Sequence, residues 1–453
     1  MTMLGFPTAL RMGLAAVCLT LYGCGSGSSL GATVSPMQAL HPAQRLHPAA
    51  PDWIARSTSG GAIKHIVFII QENRSFNNLF MGYPGATTTY TGVDQNGDQI
   101  AIQAEPFNIT WDIEHNWSDF TAAYDDGKMD GWNNEVACCG QPANFAYSYV
   151  NYALTQPYWD MAKQYVLADQ MFQSNIDGSF VAHQYAIAAY AGESVDSPTT
   201  AWGCQGGSKD VVDTLAAPER VLGPTVAPCF GYQTLGDELD AAGLTWRFYA
   251  SPVGGKKNLW SAYEAVAHIY EGPDWKNVIT PSKQFLTDVA AGTLDAVTWI
   301  TPTWKNSDHS GSGSDSGPSW VSSLVDAVGE SPFWNSTAIV IIWDDWGGWY
   351  DEVAPNQVDY DGLGFRIPML IVSPYAKRGY VTHVQYETAS VPRFIEDNFG
   401  LAQLAAADAR AADPAADSFD FKKAPRPFRK IHAHYSTADI LAQPPDYHAP
   451  DDQ

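Results

Sequence analysis

The sequence predicts an α/β fold, a largely parallel sheet with helices on both faces and long loops between the elements. Three observations lead there. Short apolar runs of strand length, rich in Ile, Val and Leu, recur at residues 66–70, 166–171, 245–249, 296–300, 338–343 and 369–372. Stretches of helical period fall between them, at 152–164, 183–190, 235–242, 320–328 and 389–398. Two of the apolar runs stop at adjacent polar residues, Glu72-Asn73 and Asp344-Asp345. In an open α/β sheet the carboxyl ends of strands are where ligands bind.

The 453 residues suffice for one large domain with insertions, expected over 61–435. Charged residues make up 16% and aromatics 13%, which fits a globular chain and excludes a disordered one. A formal net charge of −24, with no Lys/Arg run against it, argues against nucleic acid or an anionic membrane surface as partner. A small phosphorylated ligand remains compatible, because cations and helix N-termini can make one site locally positive.

Residues 1–23 read as a signal peptide: Arg11 precedes a short apolar core, 12–22, that is too short to span a bilayer. The core ends in Leu21-Tyr-Gly-Cys24 and a Gly/Ser run, which resembles a bacterial lipobox. Cys24 would then carry the only membrane attachment, a lipid anchor, with 24–60 as a flexible tether. An ordinary secreted protein cleaved elsewhere is the alternative. Export permits disulfides, and Cys204 with Cys229, across a Gly/Pro-rich loop, is the expected pair. Cys138 and Cys139 are neighbours and can join only in a strained ring. Segments 82–147, 191–231 and 303–318 are expected to be long ordered loops over the site, and 436–453 a loose tail.

The chemistry-bearing residues fall in clusters. Glu72 and Asn73 supply hard oxygen atoms at the end of the first strand, and Asp344 and Asp345 do so at the end of the fifth apolar run, ahead of a Gly347-Gly348 turn. Two adjacent acids repel unless a cation or a shared proton lies between them, and a divalent metal is the expected cause. In Asp177-Gly-Ser179, the serine stands where a helix begins. Its ordinary role there is an N-cap, and its alternative role, near a metal, is a nucleophile. His115 and His309 lie in polar loops and offer proton transfer. The loop aromatics Trp117, Trp132, Trp202, Trp304 and Trp349 either box a cationic headgroup or, as expected here, pack the loops.

The segments Gln71-Glu-Asn-Arg-Ser-Phe76, His115-Asn-Trp, Gly127-Lys-Met-Asp-Gly-Trp132, Ser179 with His183-Gln-Tyr, His309 and Trp343-Asp-Asp-x-Gly-Gly-x-Tyr-Asp351 occur in one order. Together they resemble the bacterial phosphoesterase family of non-haemolytic phospholipases C and acid phosphatase A, a branch of the alkaline phosphatase superfamily. The resemblance spans about 63–430 and implies an alkaline-phosphatase-like fold. It also implies one divalent metal on Glu72, Asn73, Asp344 and Asp345, with Ser179 as nucleophile and Asn73, His115 and His309 at the phosphoryl group. The implied substrate is a phosphate ester or a phospholipid headgroup. Glu352 departs from the family, where many members carry His, and His268 is the one weak match to a histidine pair of the middle region. The alternative function from a different class is a surface-tethered, aromatic-rich glycan-binding protein.

Overall fold

The structure, a computed structural model, describes residues 57–199, 202–218, 220–254 and 257–448. The expected signal peptide, Cys24 and the tether as far as residue 56 lie outside these residues. Eight strands form the central sheet: β1 (His65–Gln71), β2 (Val166–Ala168), β3 (Trp246–Tyr249), β4 (Val278–Ile279), β5 (Val297–Ile300), β6 (Thr337–Trp343), β7 (Met369–Val372) and β8 (Tyr380–Thr382). Their order across the sheet is β4-β3-β5-β1-β6-β7-β2-β8. Each predicted apolar run contributes a strand to it. Pairing is parallel throughout except at β7, which runs antiparallel to both β6 and β2.

Burial on both faces explains why the strands read as continuous apolar runs. Every residue of β6 is buried, and all of β1 beyond His65. The predicted strand 166–171 is shorter than expected. Beyond Ala168 the buried Asp169 turns its carboxylate to the Thr87 amide and to His383, and Met171–Phe172 pairs with Tyr386–Glu387 in a separate ribbon.

The principal helices are α1 (Phe76–Phe80), α2 (Trp117–Tyr124), α3 (Gln156–Gln164), α4 (Ser179–Ala188), α5 (Leu235–Ala242), α6 (Gln284–Ala290), α7 (Gly317–Gly329), α8 (Ser390–Phe399) and α9 (Thr437–Ala442). Alternation along β3 shows that they cover both faces. Tyr249 meets Phe285 of α6, while Trp246, on the opposite side of the strand, meets Trp299, whose indole N–H donates to Ala186 of α4. α5 keeps its predicted bounds because a Thr234/Asp237 capping box opens it and Gly243, at φ 70°, closes it.

The described residues at both ends, 57–60 and 436–448, are packed against the domain. Ser57 and Ser59 donate to Asn398 Oδ1 of α8, so the last tether residues are packed. The expected loose tail instead folds into α9, which a Ser436/Asp439 capping box starts and the fully buried Ile440 anchors. Lys283 then donates to the Leu441 and Gln443 carbonyls, and Gln443 exchanges amide hydrogen bonds with Asn306. A single apolar contact with side-chain hydrogen bonds leaves no periodic pattern to read. Cys204 and Cys229 form the expected disulfide, whereas Cys138 and Cys139 are free and exposed. Trp132, Trp202 and Trp349 are buried, as packing requires. No helix of the described residues is long and apolar enough to cross a membrane.

Two buried carboxyls accept hydrogen bonds from neutral donors. Burial pushes Asp361, which accepts from the Tyr185 hydroxyl, up to about 7, and Asp326, which accepts from the Ile431 amide, up to about 6. Their ordinary value is 3.8, so the folded chain holds extra protons between about pH 4 and pH 7. That contribution is complete below the ordinary value and is lost as pH rises through about 7. The melting temperature is therefore expected to fall between about pH 5 and pH 8, and to fall less in Asp361→Asn; identical slopes for the two proteins in a thermal-shift series would contradict this.

Candidate active site

The site begins with strand register. Gln71 of β1 lies opposite Trp343 of β6 in parallel pairing, and the ladder runs one step further through the Asp344 amide to the Gln71 carbonyl at 3.0 Å. Glu72 and Asn73 are thereby set beside Asp344 and Asp345. Asn73 has φ 56°, in the left-handed region, and its amide donates to Asp344 Oδ1 at 3.0 Å. The chain then closes into α1, whose N-cap Ser75 accepts from the Asn78 amide.

The adjacent acids have different surroundings. Asp344 Oδ2 is 3.5 Å from His183 Nε2, and the same imidazole nitrogen is 3.1 Å from Glu72 Oε1. These three buried side chains offer ligand atoms all within 4.8 Å of one another. Burial acts to raise the Asp344 carboxyl, but the hydrogen bond and charge of His183, with Glu72 and the Asn73 amide, hold it at about 2. Asp345 instead accepts from Ser179 Oγ at 3.1 Å, from Asn73 Nδ2 at 3.1 Å and from the Gly347 amide at 2.7 Å. Asn73 Nδ2 also reaches Ser179 Oγ at 3.1 Å and His115 Nε2 at 2.7 Å.

Ser179 is the first residue of α4, not its cap. Gly178 holds the N-cap position and makes no side-chain hydrogen bond. The turn before it is fixed by Asp177, which accepts from the Gly178 amide and from the Asp196 amide. This frees the Ser179 hydroxyl for Asp345 and leaves it at the positive end of the helix. His183, one turn further along α4, faces the same way. The sequence marked His183 only as part of a motif, and its spacing of four from Ser179 was the signal that it shares the site.

Both loop histidines are brought here, with ring centres 5.5 Å apart. His115 Nδ1 lies 2.7 Å from the Ile113 carbonyl, which keeps a proton on Nδ1 and turns Nε2 toward Asn73. His309 Nδ1 is held by the Ser310 carbonyl and lies 3.4 Å from Asp112 Oδ1, and its ring packs against Trp304 and Trp260. Its neighbour Asp308 is wholly buried and accepts from Tyr158 and Trp343, and burial pushes its carboxyl up to about 7. Two other histidines lie elsewhere: His268 pairs with Asp237 at the surface, and His383 pairs with Asp169. Glu352 pairs with Arg366, which also holds Asp351.

The donor set suits a divalent cation. Asn73 Oδ1 is buried with no hydrogen-bond partner among the described residues, an arrangement that costs free energy unless a ligand meets that oxygen, and Asp344 Oδ2 faces only the Glu72–His183 pair, with His183 Nε2 at 3.5 Å. Two carboxylates, an amide oxygen and an imidazole form a mixed oxygen and nitrogen set appropriate to such an ion. Gly347 makes room for this arrangement: at φ 60°, an added Cβ would lie 2.3 Å from the Asn73 carbonyl. Gly347→Ala is thus expected to destabilise the chain by about 2 kcal/mol or more. An unchanged denaturant midpoint would count against that reading of the turn.

The model of the Phosphoesterase family matches residues 63–402. A non-hemolytic phospholipase C of Pseudomonas aeruginosa is 26% identical over 411 residues, covering 75% of this chain and 54% of that protein. Phospholipase C B of Mycobacterium tuberculosis is 22% identical over 418 residues, covering 75% of this chain and 74% of that one. The chain thus spans about half the length of the first of these relatives. Among solved structures, a protein in the alkaline phosphatase superfamily from Vibrio parahaemolyticus is similar with a TM-score of 0.36 and 10% identity, covering 76% of this chain and 68% of that one. The match to the family model takes in both strand ends, Ser179, His115 and His309, and the chain belongs to the Phosphoesterase family.

Proposed function

We propose that the chain is a metal-dependent phosphoesterase, of the acid phosphatase or phospholipase C type, that works through a phosphoserine intermediate. One observation carries the reading: a buried serine at a helix N-terminus donates to a carboxylate, beside a second buried cluster of two carboxylates and an imidazole. A glycan-binding surface would need none of this.

Asp345 Oδ2 takes the proton of Ser179 Oγ, and the oxygen attacks phosphorus in line. The Oγ–P bond forms as the bond to the leaving alkoxide breaks. Asn73 Nδ2, His115 and the first amides of α4 meet the phosphoryl oxygens, where charge builds up. His309, steadied through Nδ1, delivers a proton to the departing alkoxide. Water then cleaves the phosphoserine and returns the proton to Ser179. Glu72, Asp344 and His183, with Asn73 and Asp345, are the residues that would hold the ion. When bound, it supplies Lewis-acid polarisation and eases ionisation of a hydroxyl.

The leader reading adds export, with Cys24 as a lipid anchor and a substrate that is a small phosphate ester or a phospholipid headgroup. The charge of −24 argues against nucleic acid as partner.

Phosphate release from a chromogenic monoester is expected to fall by about a thousandfold or more in Ser179→Ala. Acid-quenched wild type should carry a phosphate on the peptide containing Ser179. A fully active Ser179→Ala protein would sink the nucleophile assignment. His183→Ala should lose bound metal by elemental analysis while Ser179→Ala retains more of it; equal metal content in His183→Ala and wild type would remove His183 from the ligand set. Assaying the monoester beside phosphatidylcholine separates the two substrate types, because only the second yields phosphocholine. No turnover of either ester by the metal-replete protein would favour the glycan-binding alternative.

A further inference from the structure

Cys138 and Cys139 lie outside the site yet are linked to it by one short ladder. Residues 136–138 run antiparallel to 112–114: the Glu114 amide donates to Val136 at 2.9 Å, the Cys138 amide donates to Asp112 at 3.0 Å, and Ile113 bridges Ala137. Both imidazoles assigned to the reaction hang from the 112–114 side. The Ile113 carbonyl holds His115 Nδ1 at 2.7 Å. Asp112 Oδ1 lies 3.4 Å from His309 Nδ1 and accepts from Ser310 Oγ at 2.6 Å. On the other side of the ladder the two cysteines are exposed and unbridged.

Cys139 already occupies the left-handed region at φ 79°, a conformation that costs a non-glycine residue energy. Being adjacent, the two side chains can bring their sulfurs together by rotation about χ1, and the neighbouring Cys138 thiol pushes the Cys139 thiol above its ordinary value. Adjacent α-carbons are about 3.8 Å apart, below the roughly 4.4 Å at which unstrained bridges begin, so a bond between these cysteines closes a strained ring and opens readily. Strained, exposed disulfides are the labile and regulatory ones.

We propose that Cys138 and Cys139 form a reversible thiol–disulfide site whose closure shifts the Asp112–His115 segment and with it the two histidines. The effect on catalysis rests on the phosphoesterase reading above; the ring closure does not. One thiolate attacks a small disulfide such as oxidised glutathione and releases one glutathione. The second thiolate attacks the mixed disulfide, forming the bond between the two sulfurs and releasing a second glutathione. Two electrons pass to glutathione, and the two cysteine protons end on the released thiols.

The full chain is incubated with oxidised or reduced glutathione and alkylated, and the peptide carrying both cysteines is weighed. Ring closure predicts loss of both alkylatable thiols, a mass lower by two hydrogens, no glutathione adduct, and reversal by dithiothreitol. Persistent free thiols, or arrest at a glutathione adduct, would overturn the proposal. Amide exchange across 112–115 should differ between the two forms in wild type and not in Cys138→Ser/Cys139→Ser; no difference in wild type overturns the coupling. Monoester kcat/KM should differ by about tenfold between the forms, as displaced catalytic groups imply, and stay constant in the double variant. Absence of phosphate release from the reduced wild type would bear on the phosphoesterase reading alone, since mass and exchange report without it.

Discussion

The in-register parallel pairing of β1 with β6 is the constraint on which the rest of the site depends. Because Gln71 faces Trp343, two strand ends far apart in sequence, with a separation of 271 residues from Asn73 to Asp344, deliver Glu72 and Asn73 next to Asp344 and Asp345. A slip of one residue would turn each side chain to the opposite side of its strand. The register is held by a pairing that runs the full length of β1, from His65 opposite Thr337 to Gln71 opposite Trp343, with nearly all of it fully buried. Slipping would misfit side chains of different size on both buried faces and take the buried Gln71 from its partners at Asn306 and Asp308, and that cost fixes the position of the acids.

Such a site is costly to build, since Gln71 through Asn78, apart from Phe76, is an unbroken run of buried polar residues. Each is answered by a specific partner. Arg74 donates to the Asp308 carbonyl and to Asn78 while its guanidinium lies over Phe107 and Trp349. Asp351, at the end of the Gly-Gly turn, is held by Nε and Nη2 of Arg366 and accepts from the Asn77 amide. These two buried arginines are structural counterweights: the first steadies the loop of His309, the second ties α1 to the turn after Asp345. A buried ion pair such as Arg366–Asp351 is a weak source of net stability, and breaking it leaves an uncompensated charge. Their contribution is to make one arrangement of the loops far better than any other.

Much of this was legible in the chain. The apolar runs of β1, β3, β5, β6 and β7 stand out because burial on both faces leaves an uninterrupted signal, and the polar residues ending β1 and β6 marked the site. The short β4 and β8 carry no such signal, and neither does α9, which depends on one buried isoleucine. His183 sat in plain view one turn from Ser179, but nothing local says that a histidine on an apolar helix faces two carboxylates from distant strands. The expectation that Ser179 caps its helix failed for a related reason. Gly178 takes the cap position because Asp177 is already committed to its own turn, and that commitment includes an amide at Asp196, outside any local window.

The adjacent acids show why a single cluster in sequence becomes two in space. Successive side chains at a strand end leave on opposite sides. Asp344 therefore turns toward Glu72 and His183, and Asp345 toward Ser179 and the Gly347 amide. Asn73 joins the two halves, with its backbone amide on Asp344 and its side chain on Asp345, Ser179 and His115. Its left-handed backbone is what allows both contacts at once, and only a glycine at 347 leaves room for it. An ordinary extended Asn73 would carry its side chain away from Asp345, and the serine would lose the donor that orients its hydroxyl. The strain at one residue is thus the physical link between the cluster suited to a cation and the group that would attack phosphorus.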